Sequence, residues 1–225
     1  MTAAGVVQRL ADYRPAPRFH ELWRERVETL GVDDELKRLL LDENAIDDVL
    51  AQMPAARVAG HLHACTHTTF SCNTVGGPPM KTNVIPDTVE LGIDIRTLPG
   101  EGHDEVTEHL RMALGDLFDR VEIEVVMNDP SSMSRTDTPL WDSIGRAIAR
   151  PFPTARTSPQ FIVGFTDARI FRSMGSVAYG AGLFSPNLDA GEFGRRFHGN
   201  DERVDVDSLR LTTQFWVDVV TDLLG

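Results

Sequence analysis

The spacing of apolar residues changes near Pro54, and this change constrains the fold more than any other feature. Up to Pro54 apolar side chains recur at helical spacing, which predicts two or three helices over residues 2–53. Beyond Pro54 the pattern predicts strands over residues 57–73, 83–96 and 121–125. The order indicates a helical segment followed by a sheet.

The rest of the chain supports a mixed fold with two domains. An amphipathic helix is predicted over residues 106–117, between the second and third strands, which indicates an antiparallel sheet with helices on one face. After Asp129 the pattern changes again. It predicts helices over 138–149, 167–173 and 206–223, the last capped by Asp205 or Asp207, and strands at 160–163 and 176–179. We therefore place a domain boundary near residue 129.

Charge and composition exclude several classes of partner. The formal net charge of −12 argues against nucleic acid and anionic membranes, which both need clustered Lys and Arg. No apolar stretch approaches the roughly 20 residues that span a bilayer, and the N-terminus has no signal-peptide pattern. With only two cysteines, Cys65 and Cys72, a reducing environment is expected, so we predict a cytoplasmic protein.

A row of potential metal ligands falls within the first predicted strand. His61, His63, Cys65 and His67 recur at every second residue. On a strand all four side chains point to one face, but neighbours along that face are ~6–7 Å apart and do not converge on one ion. We therefore interpret the row as a sheet face packed on a helix or turned towards a cleft.

Two further positions have the chemistry of a binding site. Asn83 lies after the Gly76-Gly77 turn and can donate its amide to a substrate oxygen, while the guanidinium of Arg96 suits a carboxylate. The alternative is a plain hairpin, in which Asn83 serves the turn and Arg96 pairs with Asp94 or Glu90.

Two loops in the second half add candidates. Gly164 and Thr166 precede a predicted helix that Thr166 can cap, and Arg169 in that helix can bind a carboxylate. The alternative is a capped helix with a surface arginine. His198 stands in a polar, Gly-containing loop before the last helix, a position that suits a metal ligand but also an ordinary solvated histidine.

Taken together, these segments resemble the M20 metallopeptidase family, which includes aminoacylases, acetylornithine deacetylase, succinyl-diaminopimelate desuccinylase and carboxypeptidase G. The resemblance rests on the order of six motifs: GG, KTNVIPD, DIR, TDAR, AYG and HGNDERV. It implies an α/β fold, in which a lid domain of antiparallel sheet and helices is inserted into a zinc-exopeptidase-like catalytic domain. Residues 1–127 match the lid without its first strand, and residues 128–225 match the C-terminal half of the catalytic domain. The lid implies a homodimer.

The resemblance also implies roles for the candidate residues. His198 matches the last zinc ligand, Asn83 and Arg96 match lid residues that hold a substrate oxygen and carboxylate, and Gly164, Thr166 and Arg169 match the loop beside the metals. The family binds two Zn²⁺, with Co²⁺ or Mn²⁺ as alternatives. It uses a His-x-Asp motif, a Glu-Glu pair and a lid histidine that these 225 residues do not contain. We therefore expect at most one residual metal site and no hydrolysis by this chain alone.

Three functional hypotheses remain open from the sequence. The first is a truncated part of an M20 hydrolase of peptides or N-acyl amino acids, favoured by a first helix that begins without an N-cap signal. The second is a non-catalytic module that dimerises or binds carboxylates. The third, a small hydrolase of another mechanism, is disfavoured because the chain has no G-x-S-x-G motif and no signature of a catalytic thiol.

Overall fold

The computed structural model describes residues 2–77, 83–197 and 200–225. Contacts divide the chain into two compact units, residues 1–132 with 160–166, and residues 133–159 with 167–225. The division of the chain into a lid over 1–127 and a catalytic half over 128–225 stays a prediction. None of the helices in the described ranges has both the length and the apolar character that crossing a bilayer requires.

The first unit begins with five helices instead of the two or three predicted before Pro54 and a strand after it. They are α1 (Thr2–Asp12), α2 (Glu21–Thr29), α3 (Asp34–Leu40), α4 (Ile46–Gln52) and α5 (Ala56–Ala64). Asp33 is the N-cap of α3, and its side chain accepts a bond from the Leu36 N–H. Trp23 and its neighbours form the core of α2–α5, with Trp23 completely buried and its indole N–H bonded to the Leu40 carbonyl at 3.0 Å.

The prediction of a strand over 57–73 is wrong in its first half. Residues Ala56–Ala64 form α5, and only Thr69–Gly76 form a strand, β1. The helix forms because Leu62 and Cys65, three residues apart, are both buried in the Trp23 core, so the segment has helical periodicity in its apolar residues. The alternation of the histidines is unrelated to their backbone conformation.

The sheet consists of β1 and β2 (Glu90–Arg96), which pair antiparallel with an irregularity between Cys72 and Thr74. Next come α6 (His103–Leu114) and a 3₁₀ turn (Gly115–Arg120). Gly115, the C-cap of α6, has a φ of +54°, a conformation that favours glycine. The α/β fold class, with its antiparallel sheet and helices, is confirmed. Packing of α1, α6 and the 3₁₀ turn against one another and the sheet forms a second core: Val6, Leu10, Leu110, Leu114 and Leu117.

A buried carboxylate, Glu101, binds three of the segments that connect the helices and strands of this unit. The Glu101 side chain is 1% exposed, and it accepts bonds from Arg18 at 2.8 Å, from the Leu98 N–H at 2.9 Å and from the Thr68 hydroxyl. Arg18 lies between α1 and α2, and Thr68 lies between α5 and β1. Each of Glu101's partners therefore comes from a different connection of the unit.

The predicted strand at 121–125 is absent from the described structure. Val121 packs partly on the second core, but Ile123 and Val125 are about half exposed and no third strand pairs with the β1–β2 sheet. A period of two in the sequence predicts a strand only where a neighbouring strand is available to accept the backbone bonds.

The second unit is built on two long helices, α7 (Pro139–Ala149) and α10 (Val206–Leu224), and two short ones, α8 (Ala168–Ser173) and α9 (Ala190–Arg195). As predicted, Asp205 caps α10 by accepting a bond from the Ser208 N–H. The apolar core between α7 and α10 consists of Ile144, Ala147, Phe215 and Val219.

The two short strands predicted in the second half are also absent. Segment 160–163 contributes Phe161 and Val163 to the Trp23 core without pairing as a strand. Segment 176–179 is held by side chains instead: Ala178 receives a bond from Arg172 at 2.7 Å on its carbonyl and donates its N–H to Ser134 at 3.0 Å. These side chains satisfy backbone groups that a strand would otherwise pair.

Candidate functional site

Arg96 is the last residue of β2, and its guanidinium is held on two sides. Nε lies 2.6 Å from the Asp94 carboxylate and Nη2 donates to the other oxygen at 2.7 Å, a two-point pair across alternate residues of the strand. The guanidinium also lies 5.2 Å from the centre of the Phe165 ring, within the range of a cation–π contact. The Arg96 side chain remains about one-third exposed.

The contact with Phe165 brings Arg96 close to the loop that holds two other predicted residues. Gly164 and Thr166 flank Phe165 in the chain, and both are exposed. The sequence separates Arg96 from this loop by almost seventy residues, but the fold of the first unit places them side by side. The Asp94 pair predicted as an alternative is present, so Arg96 both pairs within its strand and faces the loop.

The prediction that Thr166 caps the following helix is wrong. The N-cap of α8 is Asp167, and its side chain makes no capping bond. Asn83 is exposed in a turn, and Val84 and Ile85 beside it are 56% and 94% exposed. The substrate-binding roles of these residues stay predictions.

Arg169 and His198 belong to the second half of the chain. Arg169 lies in α8, is partly buried, and interacts with other groups. His198 and Gly199 lie outside the described residues, as do Lys81 and Thr82 of the KTNVIPD motif. The role of His198 as a metal ligand therefore stays a prediction.

A different set of metal-type ligands converges in the first unit. Asp47 of α4, His63 of α5 and His67 just beyond α5 each present a ligand atom, and these atoms all lie within 4.8 Å of one another. His63 and His67 are four residues apart, and their rings stack with centres 4.1 Å apart and planes 4° from parallel. Of the row of four predicted on a strand, His61 and Cys65 are not in this group.

Burial governs the ionisation of these histidines. Desolvation lowers the pKa of His67, opposed by the Asp47 carboxylate and by the bond to the His63 carbonyl. Desolvation also lowers the pKa of His63, and the neighbouring His67 lowers it further. The effect favours neutral imidazole, the form that binds metal ions.

Sequence reasoning missed this group for a structural reason. The signal was the spacing of four between His63 and His67, which places two side chains on one face of a helix. Assigning the segment to a strand hid that signal. Nothing in the sequence indicated that Asp47, sixteen residues earlier, would join them.

The described residues do not fit the two-metal centre that the family resemblance implies. Within those residues, Asp47, His63 and His67 are the group of three His, Cys, Asp or Glu side chains that converges. Two ions need more ligands and a bridging group between them. No catalytic step through a metal pair follows from this chain.

A cleft of about 280 Å³ lies in the second unit between α7 and α10. Its charged lining residues, Arg150 and Asp218, pair with each other at 2.6 Å. None of the predicted substrate-binding residues lines it. Its volume is below the range of about 300–1,000 Å³ that is typical of ligand sites, so we do not assign it a ligand.

Comparison with known families agrees with the antiparallel sheet and its flanking helices. Residues 23–122 match the M20_dimer family model, described as a peptidase dimerisation domain. This segment is similar to a peptidase dimerisation domain of the M20 family. The predicted resemblance to the M20 family is thus confirmed, and the matched segment contains Asn83 and Arg96.

The names of curated proteins that resemble this chain describe hydrolases. It is 25% identical over 96% of its length to "Probable carboxypeptidase S-like 2" of Dictyostelium discoideum. It is 29% and 26% identical, over 68% of its length, to "N-fatty-acyl-amino acid synthase/hydrolase PM20D1" of Xenopus tropicalis and Homo sapiens. The chain spans 41%, 29% and 30% of the lengths of these three proteins, which is less than half of each.

A solved structure supports the same fold. An M20 family metallo-carboxypeptidase from Sulfolobus solfataricus superimposes with a TM-score of 0.58 at 15% sequence identity. The match covers 99% of this chain and 52% of the other. At this identity the similarity establishes the fold alone.

Proposed function

We propose that this chain is the dimerisation and substrate-facing part of a metal-dependent hydrolase that cleaves an amide or peptide bond next to a free carboxylate. Support comes from the M20 dimerisation domain and from the named activities of its relatives. A carboxypeptidase substrate and an N-fatty-acyl amino acid share one chemical feature, an amide bond beside a carboxylate. That shared feature defines the proposed substrate class.

The position of Arg96 is the observation that carries the proposal. Its pair with Asp94 uses two of the five guanidinium N–H donors and fixes the direction of the side chain. A partly exposed, oriented guanidinium beside the exposed loop at Gly164 and Thr166 suits a substrate carboxylate. Asn83 would hold the carbonyl oxygen. Arg169, which belongs to the second unit, is proposed to bind a carboxylate.

The metal ions are proposed to be a zinc pair, with Co²⁺ or Mn²⁺ as alternatives, and His198 would be one of their ligands. The remaining ligands would come from polypeptide other than these 225 residues, which contain no His-x-Asp motif and no Glu-Glu pair. We therefore expect no hydrolysis by this chain alone. We also propose that the protein forms a homodimer through the dimerisation domain and that it is cytoplasmic.

The decisive experiment compares this chain with a polypeptide extended upstream of Met1 in the same reading frame. Both are assayed against N-acyl amino acids and dipeptides, and against the matching C-terminal amides, which have no free carboxylate. We expect turnover only in the longer polypeptide and only of the free acids. Turnover of the amides at an equal rate would contradict the substrate class, and turnover by the 225-residue chain would contradict its dependence on other polypeptide.

Arg96→Gln in the active polypeptide tests the carboxylate contact. A charge-assisted hydrogen bond contributes about 1.5–3 kcal/mol, so kcat/KM for the acids should fall by roughly 10- to 100-fold. Arg111→Gln is the matched control, because Arg111 also has an ion pair and a cation–π contact but is assigned no role in substrate binding, so this variant should keep most of the activity. An Arg96→Gln enzyme as active as the parent would remove Arg96 from the site.

The second candidate function is a non-catalytic module that dimerises or binds carboxylates. The absence of the family's main metal-ligand motifs from these 225 residues favours it. Light scattering after gel filtration measures the mass, which for one chain is 24.9 kDa. A stable dimer of the 225-residue chain, together with an inactive extended polypeptide, would select this candidate over the enzyme.

A further inference from the structure

Asp47, His63 and His67 lie on or just beyond helices that surround Trp23, and none of them is among the residues assigned to the substrate. We propose that these three side chains bind one divalent transition-metal ion of the zinc class. The site is independent of the proposed hydrolase function, because none of its ligands belongs to the M20 motifs quoted above.

The backbone after α5 sets the two histidines on one face. The His67 N–H donates to the His63 carbonyl at 2.8 Å, so the last helical turn continues beyond Ala64. Side chains four residues apart then point the same way, as the parallel rings of His63 and His67 show. Two histidines at this spacing on a helix are a common way to supply two ligands to one zinc ion.

The distances need only a small adjustment for coordination. Ligand atoms at ~2.0–2.1 Å from a tetrahedral zinc ion are separated from each other by about 3.4 Å. Nε2 of His67 already lies 3.3 Å from Oδ1 of Asp47, and all three ligand atoms fall within 4.8 Å. The Asp47 side chain is 63% exposed and is able to rotate towards the histidines. Water would complete the fourth position.

The hydrogen bonds of His67 aim an unprotonated nitrogen at this point. Its Nδ1 lies 3.2 Å from the His63 carbonyl, which can only accept, so Nδ1 carries the proton. Thr66 Oγ1, 2.9 Å away, is a second acceptor for that proton. Bonds of this kind from the second ring nitrogen are typical of histidines that bind metals, because they fix the tautomer and the ring orientation.

The other nitrogen of His67 is buried without a hydrogen bond. The residue is 1% exposed, and Nε2 has no hydrogen-bond partner even though Asp47 Oδ1 is 3.3 Å away, because the geometry is not that of a hydrogen bond. A nitrogen lone pair and a carboxylate oxygen repel unless a cation lies between them. A metal ion satisfies both, and it adds a bond between α4 and α5.

The choice of two imidazoles and one carboxylate favours zinc-class ions over harder ones. Mg²⁺ and Ca²⁺ prefer all-oxygen ligands, whereas imidazole suits zinc, cobalt, nickel and copper. Because the ion joins two helices of the first unit, binding should raise the unfolding temperature of that unit. At a metal concentration a hundred times the dissociation constant, the expected rise is about 5–10 °C.

The experiment starts from metal-free protein and measures Zn²⁺ by calorimetric titration and Co²⁺ by visible absorption. We expect one ion per chain bound at this site. Asp47→Asn and His63→Gln should each weaken zinc binding at least tenfold, which reduces the thermal shift at the same metal concentration to about half or less. The matched controls Asp48→Asn and His61→Gln lie on the same two helices and should bind as the parent does.

One further variant separates this site from the family's metal centre. His198→Gln should leave the Asp47–His63–His67 binding unchanged, since His198 is assigned to the other centre. Circular dichroism verifies that each variant is folded; His67 itself is left intact because it is buried. The proposal is overturned if the parent binds no zinc-class ion, if Asp47→Asn and His63→Gln bind as tightly as the parent, or if His198→Gln abolishes the binding.

Discussion

Glu101 is expected to be the polar residue on which the first unit most depends. Glu101→Ala removes the acceptor for three donors at once. The Leu98 N–H and the Thr68 hydroxyl lose their partner in a buried position, and each unsatisfied group costs about 1–3 kcal/mol. Arg18 loses an ion pair but is more than half exposed, so water solvates most of its charge.

The two unsatisfied groups together predict a loss of about 2–6 kcal/mol in the free energy of unfolding, a range that includes the 3–5 kcal/mol typical of breaking a fully buried pair. Glu101→Gln keeps one oxygen and the side-chain shape, so its loss should be about 1–2 kcal/mol. The control is Glu108→Gln, which breaks an exposed pair with Arg111 on α6 and should change stability by less than about 0.5 kcal/mol.

Urea unfolding is the assay, followed by the fluorescence of Trp23, which is completely buried in the first unit. Trp141 and Trp216 lie in the second unit, so they are replaced by Phe in all variants to isolate the signal. The reasoning fails if Glu101→Ala is as stable as its parent, or if Glu108→Gln costs as much as Glu101→Ala.

Three further predictions concern ionisation and close packing in the same unit. Burial lowers the pKa of His67 in the folded state, so the unfolded chain binds more protons than the folded chain below pH ~6.5. The unfolding temperature should therefore fall as the pH is lowered from 7.5 to 5.5. An unfolding temperature that stays constant over this range would contradict the prediction. Burial raises the pKa of Cys65 to about 11, so a thiol reagent at pH 8 should label Cys72 rapidly and Cys65 only in denaturant. Equal labelling rates for the two cysteines in the folded protein would refute this prediction. A Cβ on Gly92 would overlap the Thr74 hydroxyl, so Gly92→Ala should lower the free energy of unfolding in urea by about 1–3 kcal/mol. Adding Thr74→Ala to this variant should restore most of the lost stability. A Gly92→Ala protein of unchanged stability would show that the Thr74 side chain rotates away.

Helices and strands that follow the apolar pattern closely were predictable from the sequence. The helices α6, α7 and α10 each have a continuous apolar stripe that packs on a core, and the alternating apolar residues of β2 are partly buried against the second core. The Asp205 cap of α10 was also predictable, because a capping side chain bonds to a residue only three positions away. Local chemistry was sufficient in these elements.

Predictions that depended on a distant partner failed. Residues 121–125 alternate like a strand, but the described structure provides no neighbouring strand for them. The row of histidines has the spacing of a strand, but the Trp23 core stabilises the helix instead. In both cases tertiary contacts override the local pattern, because backbone pairing and apolar burial contribute more than intrinsic preference.

By itself the sequence determined the M20 resemblance, the mixed fold and the identity of Arg96 as a candidate for binding a carboxylate. Only the tertiary structure placed Arg96 beside Phe165, joined Glu101 to three separate connections, and brought Asp47 to His63 and His67. Side chains far apart in the chain meet only when helices and strands pack, and the packing is set by the whole core at once. A local pattern carries no information about that packing.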